Sequence, residues 1–474
     1  MNKKNIFKVV IPALIIGAGI MYISQSLLKE NITLDKENIL IYTGYDSQVK
    51  LLEYDGAKKW VTDDPVIATV DDGIIKAGMP GKTKIKCITE DGKKYSCNVE
   101  VKRAVSGIYK DIAKRETAWI SNLQLGNGAF SCYELEEGLA ARVNPYFGCY
   151  SALAMLMSDY TDENKVEMEA FINWYFTHMN MEPDINGSVG TVYDYSVNIS
   201  GKEVVSEESR EKYDSADSYS AMFLILLNKY RNKYGDDNIL LNEKKKIDCV
   251  VDILLSLLHD GYTQSMNESK VKYLMNNAET YDGMNNVLKI YESLWPNDDR
   301  TEMLREAVNK FSMDFDYAWW SGTYYYPVLN KDNSAYYGDK MCWDKLYEYA
   351  VPQLFPVIFD VKKADDRHSQ KVYKDFCDNW KWENFDYGNE QGANQTWSLI
   401  VYAAAVMEDY DRVAMYIKNF NEKISDRSYP YYSGDSVWLA LACDKAYDYF
   451  ANIEKKGEKS KFSNIDFLTE NIEQ

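Results

Sequence analysis

Val401-Tyr402-Ala403-Ala404-Ala405-Val406-Met407-Glu408-Asp409-Tyr410-Asp411-Arg412-Val413-Ala414-Met415-Tyr416-Ile417-Lys418-Asn419-Phe420 reads as two helices of different kinds joined by a short link. The first, Val401 to Met407, is apolar on every side, and such a helix must be wrapped by others. The second sets Val413, Tyr416, Ile417 and Phe420 against Asp411, Arg412 and Lys418, so one face meets the core and the other meets water.

The alternation repeats upstream and once more downstream. Helical periods are expected near 105–123, 145–160, 162–180, 217–234, 241–260, 270–294, 299–317, 344–361, 365–380, 394–408, 410–425 and 435–452. The even members are apolar nearly all round, as in Ala152–Met157, Met222–Leu227 and Val437–Ala442. The odd members are amphipathic, as where Val250, Val251, Ile253, Leu254 and Leu257 oppose Lys244, Lys245 and Lys246. Six wrapped helices alternating with six half-exposed ones describe an inner ring inside an outer ring. The expected fold is therefore mainly α, an (α/α)6 barrel or six-hairpin toroid over residues 104–454.

Connection lengths point to one end of that barrel. Links from inner to outer helices are short, whereas 124–144, 181–216, 318–343 and 381–393 are long, and long loops inside a compact domain are usually functional. These loops emerge above the inner-helix N-termini, where the helix dipole can tune carboxylates. They carry Glu134, Glu136 and Glu137, Asp184, Asp194, Asp214 and Asp217, Trp319 and Trp320, Trp343, Trp380 and Trp382, Glu390, and Tyr429 to Tyr432. Glu279 and Asp282 sit on an inner helix otherwise lined by Leu274, Met275 and Val287, where a charge is costly unless it is paired or solvated in a cleft. Asp217 and Asp435 also read as N-caps. Flat aromatic faces suit pyranose rings, and paired carboxylates supply the acid and base that cut a glycosidic bond.

Composition removes other classes. There are 54 Lys plus Arg against 73 Asp plus Glu, a formal charge of −19, which argues against nucleic acid as partner. The three histidines, His178, His259 and His368, are far apart, so no His-built metal site is expected, and no cofactor is implied. What stands out is 39 Tyr and 11 Trp. Cys132, Cys149, Cys249, Cys342, Cys377 and Cys443 show no CxxC spacing and read as buried structural residues.

At the N-terminus, Lys3, Lys4 and Lys8 precede an uncharged stretch from Val9 to Ile23, with apolar character continuing to Leu28. That length falls between a cleaved signal core and the roughly 20 residues of a spanning helix. No small-x-small cleavage site follows, so residues 1–30 read as an uncleaved signal anchor. The expected partner is the cell membrane, crossed once, with the bulk of the chain extracytoplasmic. Residues 455–474 read as a charged tail.

Residues 31–103 carry short alternating runs broken by Asp55-Gly56, Asp72-Gly73, Pro80-Gly81 and Asp91-Gly92, the punctuation of a small β-sandwich. Val66, Ala68 and Val70 are expected on one strand face, and Ile85, Cys87, Cys97, Val99 and Val101 on the inward face of a hairpin. Cys87 and Cys97 lie symmetrically about the Asp91-Gly92 turn, which would set them opposite one another, either as reduced thiols or as a cross-strand disulfide. The run Asp64-Pro65-Val66-Ile67-Ala68-Thr69-Val70-Asp71, with Gly73 to Ala77 and Gly81 to Ile85, resembles the bacterial Ig-like domains of group 2. The resemblance implies a spacer or adhesive module at a cell surface.

The twelve-helix order, Trp119 to Phe130, Asn144-Pro145-Tyr146-Phe147 and Tyr213-Asp214-Ser215-Ala216-Asp217-Ser218-Tyr219 together resemble the six-hairpin glycosidase superfamily, closest to membrane-anchored members in Gram-positive bacteria. Similarity to family 8 glycoside hydrolases, where an Asp-x-Asp element opens an inner helix, would put Asp214 to Asp217 in the cleft. That family's glutamate motif near the first inner helix is not recognisable here, and Glu136 or Glu137 would substitute. The resemblance implies a surface-anchored glycoside hydrolase acting on an extracellular or cell-wall polysaccharide or oligosaccharide. Asp217 and Asp194 would be the base and acid-side carboxylates, with Glu279 and Glu137 as further candidates. Tyr146, Tyr195, Asp214, Tyr219, Tyr281, Asp282, Trp343, Trp397 and Tyr432 would line the subsites. The alternatives are a non-catalytic glycan-binding or adhesion protein and a polysaccharide lyase, against which the acidic charge argues.

Overall fold

A computed structural model describes residues 32–136, 138–156, 162–338, 340–388, 395–424, 427 and 430–462. The signal-anchor reading of residues 1–30, the end of the tail, and Glu137, Glu390 and Tyr429 lie outside the described residues. Among the described residues, no helix is long and apolar enough to cross a membrane. The chain divides into two units, one of residues up to Ala104 with Phe450–Ser460, the other Val105–Tyr449 with Lys461–Gln474.

The first unit holds two main sheets. β2 (Asn38–Tyr42), β9 (Lys94–Lys102), β8 (Gly81–Thr89) and β5 (Lys58–Thr62) form one in that order. β3 (Asp46–Gln48), β7 (Ile74–Ala77) and β6 (Ala68–Asp71) form the other, and β1 (Thr33–Leu34) pairs with β4 (Leu51–Leu52). Ile39, Ile41, Ala68, Ile75, Ile85, Cys97, Val99 and Val101 share one core, so the two sheets face each other across it. Asp72 and Gly73 close the β6–β7 hairpin at φ 42° and 78°, a two-residue turn that needs positive φ at both positions. Val66 does not join Ala68 and Val70 on a strand; it precedes β6 and is exposed.

The cysteine expectation is corrected by register. Ile85 faces Cys97, and Cys87 faces Tyr95, so the two thiols are diagonal neighbours. The hairpin closes at Thr89 and Lys93 around three residues, with Gly92 at φ 79°, which centres the pairing on Asp91. Both cysteines are free and fully buried, as the inward face requires.

Among the described residues of the second unit, beside a short helix at Asn238–Asn242 and a 3-10 turn at Trp382–Asn384, twelve helical segments carry the alternation. They are α1 (Ser106–Asn122), α2 (Pro145–Ala154), α3 (Asp162–Thr177), α4 (Ala216–Tyr234), α5 (Lys244–Ser256), α6 (Leu274–Leu294), α7 (Asp299–Trp319), α8 (Phe355–Ile358), α9 (Arg367–Asn379), α10 (Ser398–Val406), α11 (Tyr410–Lys423) and α12 (Ser433–Lys456). The last turns of α12, from Phe450, count with the first unit. The helix expected over 344–361 is broken. Leu346–Ala350 is a π turn, Val351–Leu354 a 3-10 turn, and only Phe355–Ile358 is α-helical. Pro352 and Pro356 explain the break, because neither can donate to the preceding turn. The 241–260 helix is interrupted at Glu243, and Val271–Tyr273 forms a strand with Val328–Asn330 before α6 begins.

The even helices touch in sequence. Tyr146 of α2 stacks on Tyr219 of α4 at 5.7 Å. Gly283 of α6 lies against Ala221 of α4, where an added Cβ would stand 2.7 Å from the Ala221 Cα. Helix α8 packs on both α6 and α10. Trp438 of α12 meets Tyr402 of α10 at 5.2 Å and Tyr150 of α2 at 4.9 Å, which closes the circle. The result is a helical barrel with α1, α3, α5, α7, α9 and α11 outside.

Two of the long loops are not wholly irregular. β10 (Ala141–Val143), β11 (Tyr195–Ser200) and β12 (Glu203–Ser209) pair into one antiparallel sheet. This sheet fixes the chain on either side of the barrel mouth, with Asn144 directly after β10 and Asp194 directly before β11.

Candidate functional site

The inner-helix N-termini bring together a set of buried polar groups. Asn144 is the N-cap of α2, where its side chain accepts from the Phe147 N–H. Its amide also donates to Asp194 Oδ1 at 3.0 Å and to the Tyr219 hydroxyl oxygen at 2.6 Å. Tyr219, in the first turn of α4, donates to the same Asp194 oxygen at 3.0 Å. Thus β10, β11 and α4 are tied at one point, and the Tyr146 ring lies over Tyr219.

Asp217 occupies the first turn of α4. Its Oδ2 accepts from the Thr263 hydroxyl at 2.9 Å, and its Oδ1 accepts from the Asn276 amide at 3.0 Å and the Ser218 N–H at 2.8 Å. It is not the cap of its helix; Ser215 holds that position. Glu279, in the second turn of α6, accepts through Oε1 from the hydroxyls of Tyr146 and Tyr150. The two carboxylates influence each other, since Asp217 raises the Glu279 pKa.

Exposure is 0% for Asp217, 2% for Glu279, 2% for Asp435 and 6% for Asp194. Among the described residues, none of the four belongs to an ion pair. Burial therefore outweighs the hydrogen bonds. It pushes the Asp217 carboxyl up to about 6 and the Glu279 carboxyl up to about 7, and it raises Asp194 above the ordinary aspartate value. Positive helix ends favour the charged form nearby, yet desolvation wins here. Asp435, in the first turn of α12, is pushed up to about 7 by burial. It reaches sideways, accepting from the Ser398 N–H at the start of α10 at 3.1 Å.

Aromatic rings border these acids. Tyr347 is half exposed and stands 5.7 Å from Trp397, and burial, then Asp214 and Glu279, raise its pKa. Tyr432 packs on Phe147 at 5.0 Å and near Tyr133 at 6.4 Å. Trp397 is the N-cap of α10 at φ 51°, a left-handed conformation, and its ring lies beside Tyr347.

Of the residues expected from sequence, Asp217, Glu279, Asp194, Tyr146 and Tyr219 converge, and exposed Asp214, Trp397 and Tyr432 border them. Tyr195 packs with Tyr146 on the same aromatic cluster, and it also meets Trp174 at 5.6 Å and His178 at 5.0 Å. Tyr281 does not converge: it stacks on Phe311 of α7 at 4.8 Å, toward the outer ring. Asp282 lies one step further along α6, where it accepts from Asn286 at 2.7 Å, and burial pushes it up to about 6. Trp343 is half-buried in the loop before the π turn, and no described contact links it to the acids. Glu136 is exposed.

Sequence reasoning missed Tyr150, Tyr347, Thr263 and Asn276. Tyr150 and Asn276 lie on inner helices beside named candidates, so helical spacing from Tyr146 and Glu279 could have found them. Thr263 sits in a short strand pair, Leu258–His259 with Tyr262–Thr263, that left no periodic signal. Among the described residues, no group of three or more His, Cys, Asp or Glu could hold a metal ion.

No protein-family model matches the chain, and no curated protein matches it. Among solved structures it is similar to one described as a wild-type glycosidase, at TM-score 0.49 and 13% identity over 75% of this chain and 98% of that one. It is similar to a beta-1,3-1,4-glucanase from Paenibacillus sp. X4, at TM-score 0.48 and 11% identity over 72% of this chain and 93% of that one. A third is a family 76 glycoside hydrolase from a bovine Bacteroides thetaiotaomicron strain, at TM-score 0.42 and 8% identity over 88% of this chain and 99% of that one.

Proposed function

We propose that this chain is a glycoside hydrolase of the six-hairpin, (α/α)6 kind that acts on an extracellular or cell-wall polysaccharide by carboxylate acid–base catalysis. The observation that carries the reading is the Asp217–Glu279 pair, two buried carboxyls with no ion-pair partner among the described residues, set under an aromatic rim at the inner-helix N-termini. A carboxyl pushed up to about 7 still holds its proton near neutrality, as a general acid must. Glu279 donates that proton to the departing glycosidic oxygen. Asp217, the more acidic of the two, takes up the proton of the attacking water. Asp194, tied to Asn144 and Tyr219, holds the stacked Tyr219 and Tyr146 rings rather than serving as the acid.

Tyr347, Trp397, Tyr432 and exposed Asp214 form the sugar-facing rim in this reading. Residues 1–30 anchor the chain in the membrane with the catalytic unit outside, and residues 31–103 act as an Ig-like spacer. A second reading, glycan binding without cleavage, draws on the near-complete burial of both carboxyls beneath Tyr146 and Tyr150. Incubation with a panel of neutral and acidic polysaccharides separates the two. New reducing ends support hydrolysis, retained polymer without them supports binding, and an ultraviolet-absorbing unsaturated product means a lyase.

A further inference from the structure

The outward face of the four-stranded sheet is rich in lysine, in a chain whose formal charge is −19. Residues 32–104 hold twelve basic and twelve acidic side chains, so this stretch is neutral and its charges are sorted by face. On β8, Thr83, Ile85 and Cys87 are buried while Lys82, Lys84 and Lys86 point outward. Lys94 and Lys102 of β9 share that face, as does Lys59 of β5. Glu100 is the one carboxylate among the outward residues of these four strands, and it lies 3.8 Å from Lys82. Asp63, just past β5, pairs with Lys86. Among the described residues, Lys59, Lys84, Lys94 and Lys102 form no ion pair.

We infer that this face binds a linear polyanion, a phosphodiester polymer laid along β8. Alternate residues of a strand are about 6.8 Å apart, so Lys82, Lys84 and Lys86 form an evenly spaced cationic row. Lys59 and Lys94 flank the row on the neighbouring strands. Between the lysines stand neutral hydrogen-bonding groups: Asn98 opposite Lys84, Ser96 opposite Lys86, and Asn38, which accepts from Asn98 at 2.9 Å. A membrane surface fits less well, because the large exposed apolar side chains Leu52, Val66, Ile74 and Met79 lie off these four strands, and the outward apolar residues of the face, Leu40, Val61 and Ile88, are half-buried. Nucleic acid fits less well too. Base stacking needs open aromatic faces, and Tyr42, the aromatic residue on this side, is buried with its hydroxyl donating to the Glu458 carbonyl.

The test is equilibrium binding of the full chain to lipid-free poly(glycerol phosphate) across a salt series. Wild type binds at low salt, and its affinity falls as salt rises. The exposed double variant Lys84→Glu/Lys94→Glu binds at least about tenfold more weakly and shows a shallower salt dependence. Lys50→Glu/Lys76→Glu, away from this face, binds as wild type does. The inference is overturned if wild type does not bind, or if both double variants lose binding equally. It is also overturned if polymer binding ignores Lys84 and Lys94 while binding to anionic phospholipid vesicles or to single-stranded DNA depends on them.

Discussion

Tyr146, in the first turn of α2, donates its hydroxyl hydrogen to Glu279 in the second turn of α6, so two inner helices share one proton-handling contact. That hydrogen bond favours the charged carboxylate and opposes the effect of burial. In Tyr146→Phe the opposition is weakened, and the Glu279 pKa rises further. If Glu279 is the general acid, the alkaline limb of the pH–rate profile moves up by about 0.7 pH unit, the equivalent of a hydrogen bond of about 1 kcal/mol. An unmoved limb would take the acid role away from Glu279.

The pH dependence of stability has a definite sign. Asp217, Glu279 and Asp435 have folded pKa values pushed up to about 6, 7 and 7, above those of an exposed carboxyl. The folded state therefore binds more protons than the unfolded state between roughly pH 4 and 7, and stability declines across that window as pH rises. Thermal melts of the wild type should fall in Tm from pH 5 to pH 8. The Asp217→Asn/Glu279→Gln variant should lose less over the same range, because its neutral side chains carry no such penalty.

Glu116 shows what a structural acid looks like in the same barrel. It is fully buried in α1, yet Arg427, Tyr431 and Ser436 all donate to it, Arg427 at 2.6 Å. Breaking a buried pair of this kind costs about 3–5 kcal/mol. Glu116→Gln should lower the Tm sharply and leave the shape of the pH–rate profile alone. A displaced pH profile would mean that this carboxylate acts in the chemistry.

At Gly283 the backbone of α6 comes against α4, where an added Cβ meets the Cα and Cβ of Ala221 at 2.7 Å each. The neighbour is a helix backbone and has no rotamer by which to retreat. Gly283→Ala should cost about 1–3 kcal/mol in urea unfolding despite its gain in helix propensity. A stabilised variant would show that the inner ring is looser than this packing implies.

Much of the barrel was legible because a wrapped helix has no polar face, as in Val401 to Met407, while its outer neighbour does. Azimuth was not legible. Tyr281 and Glu279 are two residues apart, so they point to different sides of α6, and only the packing of Phe311 decides which side holds the ring. The break at Pro352 and Pro356 in the helix expected over 344–361 left no mark on its apolar pattern, so the short α8 was read as a full-length helix. The β8–β9 register was misread because a turn of three residues, rather than Asp91-Gly92 alone, centres the pairing one residue earlier. Glu279 was recognisable as a costly charge on an inner helix and Asp217 by its place at the opening of another, whereas Thr263 and Tyr347 lie in segments without a repeating pattern.

The most direct test counts new reducing ends released from a polysaccharide panel by the full chain and by folded Asp217→Asn and Glu279→Gln variants. The wild type should release ends from at least one polymer, and each variant should lose about a hundredfold or more of that activity, as expected when a positioned acid or base is removed. Release that survives both substitutions would contradict the assignment of the pair, and polymer retention without release by the wild type would contradict hydrolysis itself.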